Sequence, residues 1–267
     1  RRSSSTARYR IPGMKLNPLP ARYSVADTPE HSQDRPQLSV IVAAMNEQET
    51  IADCVQQIFQ VYPRQCELLV VDGGTDQTQA VVEGLASEYP LLRYVHNEDD
   101  RGKGHAIRTG IAAARADVMV QIDADLQFLP TDIPQLVAPI EVNQADVTLG
   151  TRFARDSIRR EGSTPMFRRW GNKSASFYAS MLFCHRMTDV QAGMKAWTRS
   201  AAEMIDFRSD NYSYEVEIPI KALRRGLRVV DVPITTDARQ GGETCVNVVF
   251  DGIALLRDIT YFRLGLK

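Results

Sequence analysis

Three runs, LSVIVAA (38–44), ELLVVDG (67–73) and DVMVQIDAD (117–125), are each built on a near-continuous apolar stretch, VIVAA, LLVV and VMVQI. A strand with one wet face alternates polar with apolar residues, whereas a near-continuous apolar run suits a parallel strand covered on both faces. The runs therefore demand a sheet with helices above and below. The intervening segments read as those helices. Asn46 caps one running to about Phe59, a second spans about Asp76 to Glu88, and GHAIRTGIAAARA and DIPQLVAPIEV supply two more. LLRYVH and ADVTLGTR complete the strands. The β-α-β-α rhythm predicts an α/β fold with an open, mostly parallel central sheet, right-handed crossovers and helices on both faces.

Ligands of such sheets bind beyond the carboxyl ends of the strands. That rule gathers AMNEQE, DGGTDQT, NEDDRGKG, DADLQ and GTRF at one rim. Within DADLQ, Asp123 and Asp125 are two residues apart, so extended backbone would point both carboxylates to one side. Alone they repel and one takes up a proton. Mg²⁺ or Mn²⁺ removes the conflict, because hard cations take carboxylate oxygens and leave positions for phosphates. Gln127, two residues on again, is placed to add a carbonyl oxygen. The plainer reading is a D-x-D that caps the next helix.

In VVDGGTDQT, Asp72 ends a strand and the glycines allow a tight turn, so Asp72 is placed to accept hydrogen bonds from a base. It reads equally as a turn followed by a helix cap at Asp76. Gly102 and Gly104 flank Lys103 before a helix, where backbone N–H groups and the ammonium suit phosphate. Ile107 breaks a dinucleotide G-x-G-x-x-G, and there is no Walker loop, H-E-x-x-H or G-x-S-x-G. The four histidines are scattered and read as structural or exposed.

The formal net charge of −1 opposes a nucleic-acid partner. Residues 1–36 carry seven Lys or Arg against three Asp or Glu and, rich in Ser and Pro, read as a flexible basic arm. A second basic cluster holds Arg152, Arg155, Arg159, Arg160, Arg168 and Arg169. Four widely spaced cysteines form no zinc or disulfide pattern, and no signal or membrane-length apolar run appears, so the chain is expected in the cytoplasm. TPMFRRWGNKSASFYASMLF and VNVVFDGIALLRDITYFRLGLK are amphipathic and read either as core-facing or as interfacial helices at the inner face of a membrane.

Nine stretches occur in one order: SVIVAAMNEQETI, LLVVDGGTDQT, GKGHAIRTGI, QIDADLQF, VTLGTRF, RRWGNKSASFYASML, MTDVQAGMKAW, YEVEIPIKALRRGLRVVDVPI and DARQGGET. Together they resemble the family-2 glycosyltransferases of GT-A (nucleotide-diphospho-sugar transferase) fold, most closely the dolichyl- and polyprenyl-phosphate sugar synthases. The resemblance runs from about Leu38 to Leu264 and implies an arm at 1–36, a catalytic domain at 37–240, and a lid loop with an amphipathic helix at 241–267. It implies that Ala44, Asn46 and Glu47 line the nucleotide pocket, that Asp72 reads the base, and that Lys103 lies beside the nucleotide. Asp123 and Asp125 then hold the metal with Gln127, and Arg239 closes over the donor diphosphate. Arg152 and Arg168 would meet an acceptor phosphate, while Asp189, Gln191 and Lys195 border donor sugar and acceptor. Two departures stand out: Ala44 replaces a common Pro-Thr-Tyr, and Glu243, Thr244 and Cys245 stand where Ser-x-Lys is usual.

The resemblance implies a metal-dependent, inverting hexosyltransferase using a UDP- or GDP-linked donor and a lipid phosphate. A lipid phosphate is already an anion and needs no base, whereas a hydroxyl acceptor needs one, for which Asp189 is the candidate. Two other classes compete. A sugar-nucleotide pyrophosphorylase expects a G-x-G-x-R loop after the first strand, which AAMNEQE lacks. A non-catalytic sugar-nucleotide binding module differs only in lacking turnover.

Overall fold

The apolar runs become inner strands. In the computed structural model, β1 (Leu38–Ala44) pairs in parallel with β2 (Cys66–Asp72) and β4 (Val118–Asp123). β3 (Leu92–His96) continues the sheet beyond β2. On the far side of β4 come β7 (Lys195–Thr198), β5 (Val147–Thr151) and β8 (Val229–Pro233), giving the order β3-β2-β1-β4-β7-β5-β8. The expected mostly parallel sheet is present, with β7 antiparallel to both neighbours. Four residues running straight into a helix carry too little pattern for the sequence to mark that strand. The structure describes residues 35–62, 66–163, 166–239 and 248–266, without the side chains of 166–168 and 248–253. Nearly all of the arm read at 1–36, the 241–247 loop and Cys245 lie outside the described residues. Residues 35–267 make one compact unit.

Alternate residues of each strand face opposite layers. Val40, Val42, Leu68, Val70, Val120 and Ile122 pack on one side, against α1 (Ile51–Val61), α2 (Thr78–Leu85) and α4 (Ile133–Glu141). Ile41, Leu69, Val71 and Met119 face α3 (Lys103–Ala113), α6 (Arg199–Ile205) and α7 (Tyr214–Arg224). Beyond α7, α5 (Met166–Phe183) and α8 (Val248–Leu264) share a third apolar cluster, with Ala175, Ala179, Ile259 and Phe262 buried in it. A ribbon of β6 (Ile158–Arg159) and β9 (Thr235–Thr236) stands apart from the main sheet.

One expected cap is corrected. Helix α1 starts at Ile51 after Thr50, while Asn46 sits at φ 58° and its Oδ1 takes the Thr75 N–H at 2.9 Å. An Asn in the left-handed region suits a loop tie better than a helix start.

Candidate active site at the carboxyl rim

β4 carries its apolar register to Asp123 and stops. Leu126 is left-handed at φ 56°, and Asp125 Oδ1 accepts the Gln127 N–H at 3.0 Å, a side-chain-closed turn. The extended backbone that would align Asp123, Asp125 and Gln127 therefore ends before Asp125. Gln127, expected as a metal ligand, spends its amide nitrogen and its backbone carbonyl elsewhere. Its side-chain amide donates to the Ser163 carbonyl at 2.8 Å, and its own carbonyl accepts the Asp237 N–H at 2.9 Å. It ties loops together.

Asp123 and Asp125 each meet a cation. Lys103 Nζ lies 2.7 Å from Asp123 Oδ1 and 3.2 Å from Glu215 Oε1. Arg239 Nε lies 2.9 Å from Asp125 Oδ2, with its Nη2 3.8 Å from Glu47 Oε1. Burial, then the Asp123 charge, pushes the Asp125 carboxyl up to about 6 even with Arg239 and Lys103 near. Burial pulls the Lys103 ammonium down, but Asp123, Tyr214 and Glu215 outweigh it and hold the group well above the ordinary lysine range. Burial likewise raises Glu47, against a hydrogen bond from the Thr50 hydroxyl.

The donor set fits a hard divalent ion. Two carboxylates at a strand end, one part-exposed, suit Mg²⁺ or Mn²⁺ that takes its other ligands from phosphate and water. Among the described residues no group of three or more His, Cys, Asp or Glu gathers to hold an ion unaided. Room at Asp123 depends on Gly193, where a Cβ would come within 3.3 Å of Asp123 Oδ2 and 2.6 Å of the Phe128 ring.

The β1 and β2 loops form the neighbouring wall. Glu47 N–H donates to Thr78 Oγ1 at 3.0 Å and Gln48 N–H to Asp76 Oδ2 at 3.1 Å, stitching them together. Gly74 is needed there, since a Cβ would stand 2.6 Å from Asn46 N. Ala44 is buried beneath. Asp72 is also buried, with Oδ1 accepting the Gly74 N–H at 2.8 Å and Oδ2 the Tyr94 hydroxyl at 3.2 Å. Its carboxylate keeps lone pairs beyond those two bonds. The α3 start is corrected: the N–H groups of Gly104 and His105 are spent on the Asp210 carbonyl, so Lys103 alone is left there for phosphate.

On the opposite wall the expected free groups are paired. Asp189 is fully buried and receives Arg152 Nε at 2.6 Å and Nη2 at 2.9 Å, while Arg152 Nη2 also reaches the Gln191 carbonyl at 3.2 Å. Asp189 thus has no oxygen free of Arg152 to act as a base, and Arg152 is not a free phosphate ligand. Lys195, read as an acceptor contact, is fully buried, with Nζ on the Ala192 carbonyl and 5.8 Å from the Tyr214 ring centre. Burial lowers its ammonium to about 8. Arg168 lies on α5, its side chain outside the described residues. Sequence reading missed Glu215, one more acid within an ordinary amphipathic helix. It also missed a half-open cavity of about 290 Å³ whose lining includes Phe153, Lys173, Phe177, Arg186 and Thr188. Phe153 there is flanked by the cations of Arg152, Arg159 and Lys173 at 5.3 to 6.0 Å.

The sequence model of glycosyl transferase family 2 matches residues 39–205. Glycosyltransferase AglD of Haloferax volcanii is 27% identical over 243 residues, spanning 86% of this chain but 38% of that protein. Undecaprenyl-phosphate mannosyltransferase of Micrococcus luteus is 27% identical over 242 residues, 85% of this chain and 98% of the relative. A crystal structure of glucosyl-3-phosphoglycerate synthase from Mycobacterium tuberculosis, in complex with Mn²⁺, UDP and glucosyl-3-phosphoglycerate, superposes with a TM-score of 0.65. It is 23% identical, and the match covers 87% of this chain and 80% of that one, a likeness of fold.

Proposed function

The chain belongs to glycosyl transferase family 2, and from that premise we propose that it moves a sugar, with inversion, from a UDP- or GDP-linked donor to a polyprenyl or dolichyl phosphate. The observation that carries this reading is the pairing of the two rim acids with two side-chain cations, Lys103 on Asp123 and Arg239 on Asp125. An anionic diphosphate entering between them gives both cations a stronger partner and releases both acids.

In this reading Asp123 and Asp125 hold Mg²⁺ or Mn²⁺, which when bound supplies the charge that neutralises the departing diphosphate. Arg239 turns from Asp125 to the phosphate oxygens, adding a charge-assisted bond where negative charge grows. Lys103 does the same from the α3 start while Glu215 keeps hold of its ammonium. Ala44, Asn46, Glu47 and Asp72 border the nucleoside. Asp189 supports the acceptor class. A hydroxyl would need a base, and this carboxylate is committed to Arg152. A phosphate brings its own negative oxygen. Lys173 and Arg186 offer it cations in the cavity beside Arg152, where Phe153 and Phe177 suit an isoprenoid chain.

The relatives support the acceptor class, and undecaprenyl phosphate is in the name of one of them. The test is transfer from UDP- or GDP-sugars to undecaprenyl phosphate with Mn²⁺. Asp125→Asn should lower turnover by about 10²-fold or more, and unchanged transfer in that variant would remove the metal role.

A further inference from the structure

The β6–β9 ribbon joins parts of the site that lie far apart in sequence. Ile158 N–H donates to the Ile234 carbonyl at 3.2 Å and Arg160 N–H to the Thr236 carbonyl at 2.9 Å. Apolar burial does not hold β6, because Ile158 is 59% exposed. Polar ties do. Arg160 Nη1 lies 2.6 Å from Asp237 Oδ2. Asp237 N–H meets the Gln127 carbonyl, and the Gln127 amide meets Ser163 at the other end of the β6 loop. Arg159 Nη1 reaches the Arg152 carbonyl at 2.8 Å, anchoring the start of that loop. Two residues past Asp237 stands Arg239, on Asp125.

We infer that Arg160, acting through Asp237, is a positioning residue that sets where Arg239 stands at the rim, so that the arginine-bearing loop 152–163 and the donor-facing arginine move as one piece. The inference rests on the donor reading above. A long Arg239 side chain reaches a fixed point only if the backbone before it is fixed. That backbone has left β9, and Asp237 pins it twice: its N–H to the loop that bears Asp125, its carboxylate to Arg160. A ligand that draws on loop 152–163 therefore alters the grip of Arg239, and by thermodynamic reciprocity donor binding alters that loop. The competing reading is an exposed ion pair of little consequence, since such pairs commonly contribute little. Here the pair sits at the junction of the two loops that flank the acids.

Two measurements test it. In ligand-free protein, amide exchange at 235–239 should quicken in Arg160→Ala and return toward the wild-type rate in the swapped pair Arg160→Asp with Asp237→Arg. Unchanged exchange in Arg160→Ala would overturn the inference whether or not any nucleotide binds. Calorimetry with Mn²⁺ and UDP, and again with GDP, should show about five-fold weaker binding in Arg160→Ala, the scale of one surface ion pair. The same change should cost nothing further in an Arg239→Ala background, because Arg160 acts through Arg239. Additive losses would assign Arg160 a separate role and overturn the coupling. Wild-type protein that binds neither nucleotide would defeat the donor reading and leave the exchange result to decide the ribbon.

Discussion

Asp125 shows how one side chain carries two opposed demands. Burial and the charge of Asp123 raise its carboxyl to about 6, so ionising it costs folding free energy that a protonated form would not. For a raised acid, the favourable contribution is whole below the ordinary value of 3.8 and is lost as pH rises through about 6. Metal binding has the reverse sign, since the ion takes only the carboxylate. Mn²⁺ affinity measured by titration should fall about ten-fold per pH unit below about 6 and level off above it. A flat profile between pH 5 and 7 would show that Asp125 is not a ligand. Gly193 makes a second demand at the same scale. Its missing Cβ leaves room for Phe128 and Asp123, so Gly193→Ala should destabilise the fold by about 1–3 kcal/mol. Chemical denaturation would show it, together with weakened Mn²⁺ binding.

Buried polar groups, as well as apolar packing, tie the elements to one another. Glu67 on β2 is fully buried and gathers the Ser39 hydroxyl at 2.5 Å from β1, Arg93 at 3.1 Å from β3, and the N–H and guanidinium of Arg115 in the loop after α3. Burial raises its carboxyl, yet these bonds together hold it below the ordinary range. A lowered acid stabilises at higher pH, and the contribution is lost as pH falls through the lowered value. Glu67→Gln should cost about 2–3 kcal/mol at neutral pH, because charge-assisted bonds become ordinary ones. The deficit should shrink toward acid, and a loss as large at pH 4 as at pH 7 would contradict this account.

At the scale of the whole molecule, the question is which surface meets the acceptor. No helix among the described residues is long and apolar enough to cross a membrane. The α5–α8 pair buries Ala175, Ala179, Ile259 and Phe262 and turns Trp170, Phe177 and Met181 outward. The two readings of these amphipathic segments thus both find residues, one on each face. The proposed lipid-phosphate acceptor predicts that the outward face touches a bilayer. The protein should float with vesicles containing anionic lipid at low salt, and Trp170→Glu with Phe177→Glu should reduce the bound fraction several-fold. Flotation insensitive to both changes would remove this face from the proposal.

Local pattern by itself determined much of this protein. Apolar runs demanded a sheet covered twice, and a strand ending in Asp123 put the acids at its carboxyl rim, because burial periodicity is written residue by residue. Partnership is not written that way. That Lys103 would meet Asp123 and Glu215, that Arg239 would cover Asp125, and that Arg152 would neutralise Asp189 were decided by tertiary structure. Asp189 and Lys195 looked available in sequence because a charge has no visible depth there. Only folding shows which charges are buried together, and a buried ion must find its partner within the protein.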